Sequence, residues 1–124
     1  MIEGMKEARN KVETEAKKTI ETYEQIKDKE KELQKLEDKT TEIIYNAINQ
    51  ETGKPKFTNE TQRGIAIRDV QSNDSIYQGV YLELRKLRKE LEESKLAYDL
   101  AKKDFTIAKL ETMLQLDSKD DGEE

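Results

Sequence analysis

The sequence predicts an all-α protein: an antiparallel long-helix hairpin (a coiled coil) with a short helix in its connector, assembling into a helical bundle. Three observations carry that expectation. Residues 77 to 112 repeat apolar or small side chains at alternating steps of three and four, through Tyr77, Val80, Leu84, Leu87, Leu91, Ser94, Tyr98, Ala101, Phe105, Ala108 and Thr112. A 3.5-residue repeat keeps one face aimed at a partner helix. The 124 residues are 33% apolar and 41% charged. That composition suits either disorder or a narrow core between paired helices, and the concentration of the apolar residues on stripes decides for the second. The only proline, Pro55, follows Gly53 in mid-chain, so one break separates two long helical patterns.

The first helix is expected over about residues 4 to 50, with Met5, Ala8, Val12, Ala16, Ile20, Tyr23, Ile26, Leu33, Leu36, Ile43, Ala47 and Ile48 near one face. The stripe thins at Lys27-Asp28-Lys29-Glu30-Lys31-Glu32, where six charges in succession predict a weakly packed, fraying turn. Gly53 in a left-handed conformation and Pro55 stop the helix. The connector, about residues 51 to 74, offers Thr58 or Asn59 as the cap of a short helix carrying Ile65, Ile67 and Val70. Ser72 to Ser75 supplies the cap of a final helix, about 75 to 116. Antiparallel folding is expected to bring Ile43, Ile44 and Ile48 against Tyr77, Val80 and Leu84. Residues 1 to 116 thus read as one hairpin domain. Asp117 to Glu124, with five acids and one lysine, reads as an acidic disordered tail.

The final helix has more apolar surface than a hairpin consumes. Leu96, Leu100, Ile107, Leu110 and Leu114 form a second stripe, interrupted by Lys103. A helix with two apolar faces calls for a second partner, so a homo-oligomer, in the first instance a dimer forming a four-helix arrangement, is expected through this stripe. The alternative is one broad stripe wrapping around a thin first helix.

Chemistry is sparse. Histidine and cysteine are absent, and the carboxylates, lysines and tyrosines sit in a pattern that places most of them on solvated faces, so no enzyme is expected, and no catalytic residue, metal site or cofactor. The di-metal bundle pattern needs Glu-x-x-His. Thr52-Gly53-Lys54 lacks the upstream glycine and following hydroxyl of a phosphate loop. The net charge is −5, of which the tail holds −4, leaving a nearly neutral body with no general phosphate-binding surface. Arg85-Lys86-Leu87-Arg88-Lys89 is the one dense basic run, read first as salt-bridged flanks of the seam. No apolar run approaches a membrane span, Met1 to Lys6 lacks the apolar stretch of a signal peptide, and a cytoplasmic location without a membrane partner is expected. Lys54, Lys56, Phe57, Arg63 and Arg68 are the candidate partner-binding residues, at the tip of a stiff hairpin. The competing role for Phe57, Ile65 and Val70 is to plug the end of the hairpin core.

The order Tyr45-Asn46, Thr52-Gly53-Lys54-Pro55-Lys56-Phe57-Thr58-Asn59-Glu60, Arg63, then an acidic, amide-rich turn, Tyr77 and a Leu-rich charged helix resembles small helical-hairpin proteins of phages, prophages and related mobile elements. In those proteins a Gly-Lys-aromatic connector joins two coiled-coil helices. The resemblance covers about residues 40 to 112 and implies a coiled-coil accessory factor in DNA metabolism. The chain departs from it at Gly64 and Ile65-Ala66-Ile67-Arg68. Prefoldin-type chaperone subunits are similarly hairpin-shaped, but they place β-hairpins between the helices, and no alternating strand stands out here. The expected function is therefore a coiled-coil interaction or scaffold protein with an unknown protein partner. Nucleic-acid binding through the connector's basic residues, or acidic inhibition of a host protein, are the alternatives.

Overall fold

The computed structural model describes the backbone of residues 2 to 123 and the side chains as far as Asp117. Three helices follow in order: α1 (Ile2–Asn46), α2 (Glu60–Asn73) and α3 (Ser75–Glu123). α1 and α3 pack against each other as the arms of an all-α hairpin. The acidic-tail expectation for 117 to 124 falls, from residue 118 onward, on side chains outside the described residues. The chain forms two compact units, residues 1 to 24 with 88 to 124, and residues 25 to 87.

In the first unit the α3 face is the one expected: Leu91, Ser94, Tyr98, Ala101, Phe105, Ala108 and Thr112 are all buried or half-buried. The α1 face is different. Met5, Ala8 and Val12 turn inward as expected, and the seam then continues through Glu15, Thr19 and Thr22, while Ile20 and Tyr23 are exposed. A strict step of three and four from Val12 reaches 15, 19 and 22, so the periodicity that keeps the seam closed overrides the hydropathy of Ile20 and Tyr23. The hydroxyls satisfy themselves locally. Thr19 Oγ1 donates to the Glu15 carbonyl (2.8 Å) and Thr22 Oγ1 to the Lys18 carbonyl (2.9 Å). With the Thr19 hydrogen so engaged, Ser94 is the donor of the 2.7 Å bond that joins the two hydroxyls across the seam. This pair registers α1 against α3 at a cost in stability, as a buried polar step does in a coiled coil.

In the second unit Ile26, Leu33, Leu36, Thr40 and Ile44 of α1 and Ala47 just after it, with Tyr77, Val80, Leu84 and Leu87 of α3, are buried or half-buried. Leu84, 1% exposed, is the most enclosed large side chain among the described residues. The charged turn at 27 to 32 does not break α1. Lys29 is drawn into the seam, where its Nζ lies 2.6 Å from Glu83 and 3.2 Å from Glu32. Tyr77 Oη donates to Glu37 Oε1 at 3.1 Å. These pairs correct the expected register. Tyr77 faces α1 at Glu37 rather than at Ile43 to Ile48, and Ile43 and Ile48 are exposed. With Tyr77, near the start of α3, level with Glu37, the last turns of α1 run past that start and pack toward α2 instead, where Ile43 and Ile44 share a groove with Ile65, Ala66 and Val70.

The two cross-helix contacts of this unit, Lys29–Glu83 and Tyr77–Glu37, predict alkaline lability. Burial, and then the bond to Glu37, raise the Tyr77 pKa above its ordinary value. Bonds to Glu83 and Glu32 raise that of Lys29. A folded-state pKa above the unfolded value means that the stabilisation is complete below the unfolded pKa, about 10, and is lost as pH rises through the folded one. Thermal melts are expected to be flat from about pH 7 to 9 with respect to these groups and to fall above about pH 10. Tyr77→Phe should shrink the fall; an unchanged fall would show that Tyr77 contributes none of it.

The connector also differs from expectation. α1 ends at Asn46, not near residue 50, because the chain turns into a tight β-like loop in which Ile48 pairs with Pro55. Asn49 N–H donates to the Lys54 carbonyl and Lys56 N–H to the Ala47 carbonyl, both at 2.9 Å. Gly53, at φ 68°, takes the left-handed conformation expected of it, but closes this loop by donating to the Asn49 carbonyl (2.8 Å) instead of capping α1. Asn59 is the cap of α2, its side chain accepting from Gln62 N–H at 2.8 Å, while Gln62 Oε1 accepts from the Thr58 backbone N–H and hydroxyl. Asp74 caps α3, its Oδ1 accepting from the Ile76 and Tyr77 N–H groups. α2 has no fully buried residue, so its persistence leans on its cap. Asn59→Ala is expected to cost about 1 kcal/mol, read as faster amide exchange across 60 to 73 with little change in α3. Uniform loss of protection in both helices would show that α2 does not open independently.

Candidate assembly surface and connector tip

α3 carries two apolar faces. At 100° per residue, the seam positions cluster around Ser94, whereas Leu96, Leu100, Lys103, Ile107, Leu110 and Leu114 lie on the opposite side of the helix. They too follow steps of four and three. α1 occupies one face and leaves the other bare: Leu96, Leu100, Ile107, Leu110 and Leu114 are each 52 to 66% exposed. One broad stripe wrapping around α1 would have covered at least its edge, so that alternative fails on these exposures. Half-exposed leucines in a continuous row are unusual on an isolated surface, where apolar residues normally stand singly.

The stripe has definite limits. Toward the start of α3 its positions pass to Glu93 and Lys89. Lys103 stands in its middle, with Asp104 next to it. Met113 is exposed as well, but at 100° per residue it stands between this stripe and the seam.

At the connector the five candidate partner-binding residues separate into two groups. Arg63 is committed internally. Its guanidinium lies 4.5 Å from the centre of the Tyr45 ring and its Nη1 is 2.9 Å from Glu60 Oε1, while Tyr45 Oη donates to both Glu60 oxygens. Arg68 Nε donates to the Gly64 carbonyl at 3.2 Å, within its own helix. Lys54 and Lys56 are exposed, the latter with its Nζ 5.6 Å from the centre of the Phe57 ring. Phe57 is half-buried. With Ile43, Ile44, Ala47, Ile65, Ala66 and Val70 it lines an open groove between the end of α1 and α2. The basic residues therefore do not make one cationic patch. The contribution of Ile43, Ala47 and Ala66 to this groove is hidden from the sequence, because it depends on α1 overrunning the start of α3.

Among the described residues no group of three or more acidic side chains stands where it could hold a metal ion, and no helix is long and apolar enough to cross a membrane. Compared with known protein families, with curated proteins and with solved structures, the chain matches none.

Proposed function

We propose that this chain is a non-enzymatic coiled-coil interaction protein that assembles with itself through the back of α3 and offers its connector end to a protein partner. One observation carries the reading: a hairpin that has already closed its seam still exposes five large aliphatic residues in a heptad row. Their exposed portions amount to roughly 500 Å² of apolar surface per chain, a substantial part of the about 800 Å² per partner of a standard interface. The connector adds a groove of apolar side chains with Lys56, Gln62 and Asp69 at its rim, a combination that suits a peptide or helix with an apolar face. Its likeness to the phage and mobile-element hairpins supports an accessory role in DNA metabolism. Direct nucleic-acid binding draws less support, because Arg63 and Arg68 are engaged within the connector.

The test is light scattering behind size exclusion on the chain and on Leu100→Asp. The expected mass is twice 14.5 kDa for the unsubstituted chain and the single-chain value for the variant. A single-chain mass for both, up to high micromolar concentration, would overturn the assembly reading.

A further inference from the structure

We infer that the partner on the back of α3 is a second copy of the same helix running antiparallel, with a two-fold axis passing near residue 105. This rests on the assembly reading above and adds its geometry. The positions 96, 100, 103, 107, 110 and 114 are spaced four, three, four, three, four, a series identical when read from either end. Antiparallel pairing about its centre sets Leu96 against Leu114, Leu100 against Leu110 and Lys103 against Ile107 of the second copy. Layers of this kind, one position of the repeat against the other, are what antiparallel coiled coils require, and a self-complementary patch is what a two-fold dimer requires.

Charge selects this direction over the parallel one. In a parallel pair Lys103 would stand against Lys103 in the middle of the apolar row. In the antiparallel pair it meets Ile107 and lies one turn from Asp104 of the second copy, and the arrangement occurs twice. Glu93 opposite Asp117 is the unfavourable step of the antiparallel register. Complementary charges of this kind set register and orientation more than they set affinity.

The chain has no cysteine, so cross-linking reads the geometry directly. Leu96→Cys alone, Leu114→Cys alone and the double variant are oxidised with copper–phenanthroline at a concentration where the unsubstituted chain is dimeric. In the antiparallel dimer position 96 is about 27 Å along the axis from its own copy. The expected result is a covalent dimer from the double variant and from an equimolar mixture of the two single variants, with little from either single variant alone. Efficient cross-linking of Leu96→Cys by itself overturns the antiparallel arrangement while leaving self-assembly intact. A charge swap checks the register without touching the apolar row, since the same pairing sets Glu93 against Asp117 of the second copy. Glu93→Lys should tighten the dimer several-fold, and Asp117→Lys added to it should cancel the gain. Absence of tightening overturns the proposed register. If the unsubstituted chain is monomeric, the assembly reading itself has failed.

Discussion

Leu84→Ala lowers the unfolding free energy by about 3 kcal/mol, the largest single loss of folding stability expected from an aliphatic truncation in this chain. Leu84 is 1% exposed, and a two-helix seam has few neighbours that can move in to fill the space. Total stabilities of domains are about 5 to 15 kcal/mol, so the loss takes a large share, and the melting temperature falls by roughly 10 °C. The control is Leu82→Ala, two residues earlier on the same helix. Leu82 is 59% exposed, and its truncation should cost less than about 0.5 kcal/mol. Hydropathy does not distinguish the two leucines; only the seam does. Urea or thermal denaturation, followed by far-UV circular dichroism at one fixed chain concentration, compares them without the mass-action shift that assembly introduces. Equal costs at the two positions would refute the seam assignment in the second unit.

Leu100→Asp is expected to raise the dimer dissociation constant by at least about a thousandfold while leaving the hairpin folded. Two copies of the substitution enter each dimer. Leu100 is 52% exposed in the single chain, so each copy forfeits only about half of the roughly 1.5 to 3 kcal/mol of a full leucine burial. Since each 1.4 kcal/mol is a factor of about ten, the burial loss alone brings roughly one to two decades, and the rest comes from desolvating the two carboxylates placed in the apolar row. In the single chain Leu100 is 52% exposed, so the aspartate there is solvated and the seam is untouched. The mass by light scattering should therefore halve with the helical signal nearly unchanged. Leu100→Ala, which removes area without adding charge, should fall in between. Loss of helicity in step with mass would mean that the second stripe belongs to the hairpin core and not to an interface.

The two long helices are unequally legible in the sequence. The seam of α3 can be read residue by residue, because nearly every step of its repeat is apolar and even its small polar members, Ser94 and Thr112, keep the spacing. The first apolar pattern misleads at Ile20, Tyr23 and Ile43 of α1 and at Ile48 just beyond it, all exposed. The true seam of α1 passes through Glu15, Thr19, Thr22, Lys29 and Thr40, residue types that a search for apolar faces assigns to solvent. Thr22 and Thr40 give their hydroxyl hydrogens to carbonyls one turn back in α1, whereas Thr19 meets Ser94 and Lys29 meets Glu83 across the seam, contacts that the sequence does not display. In the connector Gly53 and Asn59 are legible from backbone chemistry, since a left-handed position and a helix cap each favour few residue types. The β-like pairing of Ile48 with Pro55 is not, because one isolated bridge leaves no periodic trace. The second stripe is visible in the sequence, but whether α1 covers it depends on where the other face points.

By itself the sequence determined the helical class, the break at Gly53 and Pro55, the buried face of α3, and the exclusion of histidine- and cysteine-based chemistry. All of these follow from local propensity, from a repeat that a single helix displays, or from composition. Tertiary structure decided the polar seam of α1, the register that brings Tyr77 to Glu37 and Glu83 to Lys29, and the groove between α1 and α2. It also decided that Leu96 to Leu114 remain uncovered. Each of these depends on which residues meet across helices, and a polar side chain can lie in a seam once a carbonyl one turn back or a partner on the other helix satisfies it.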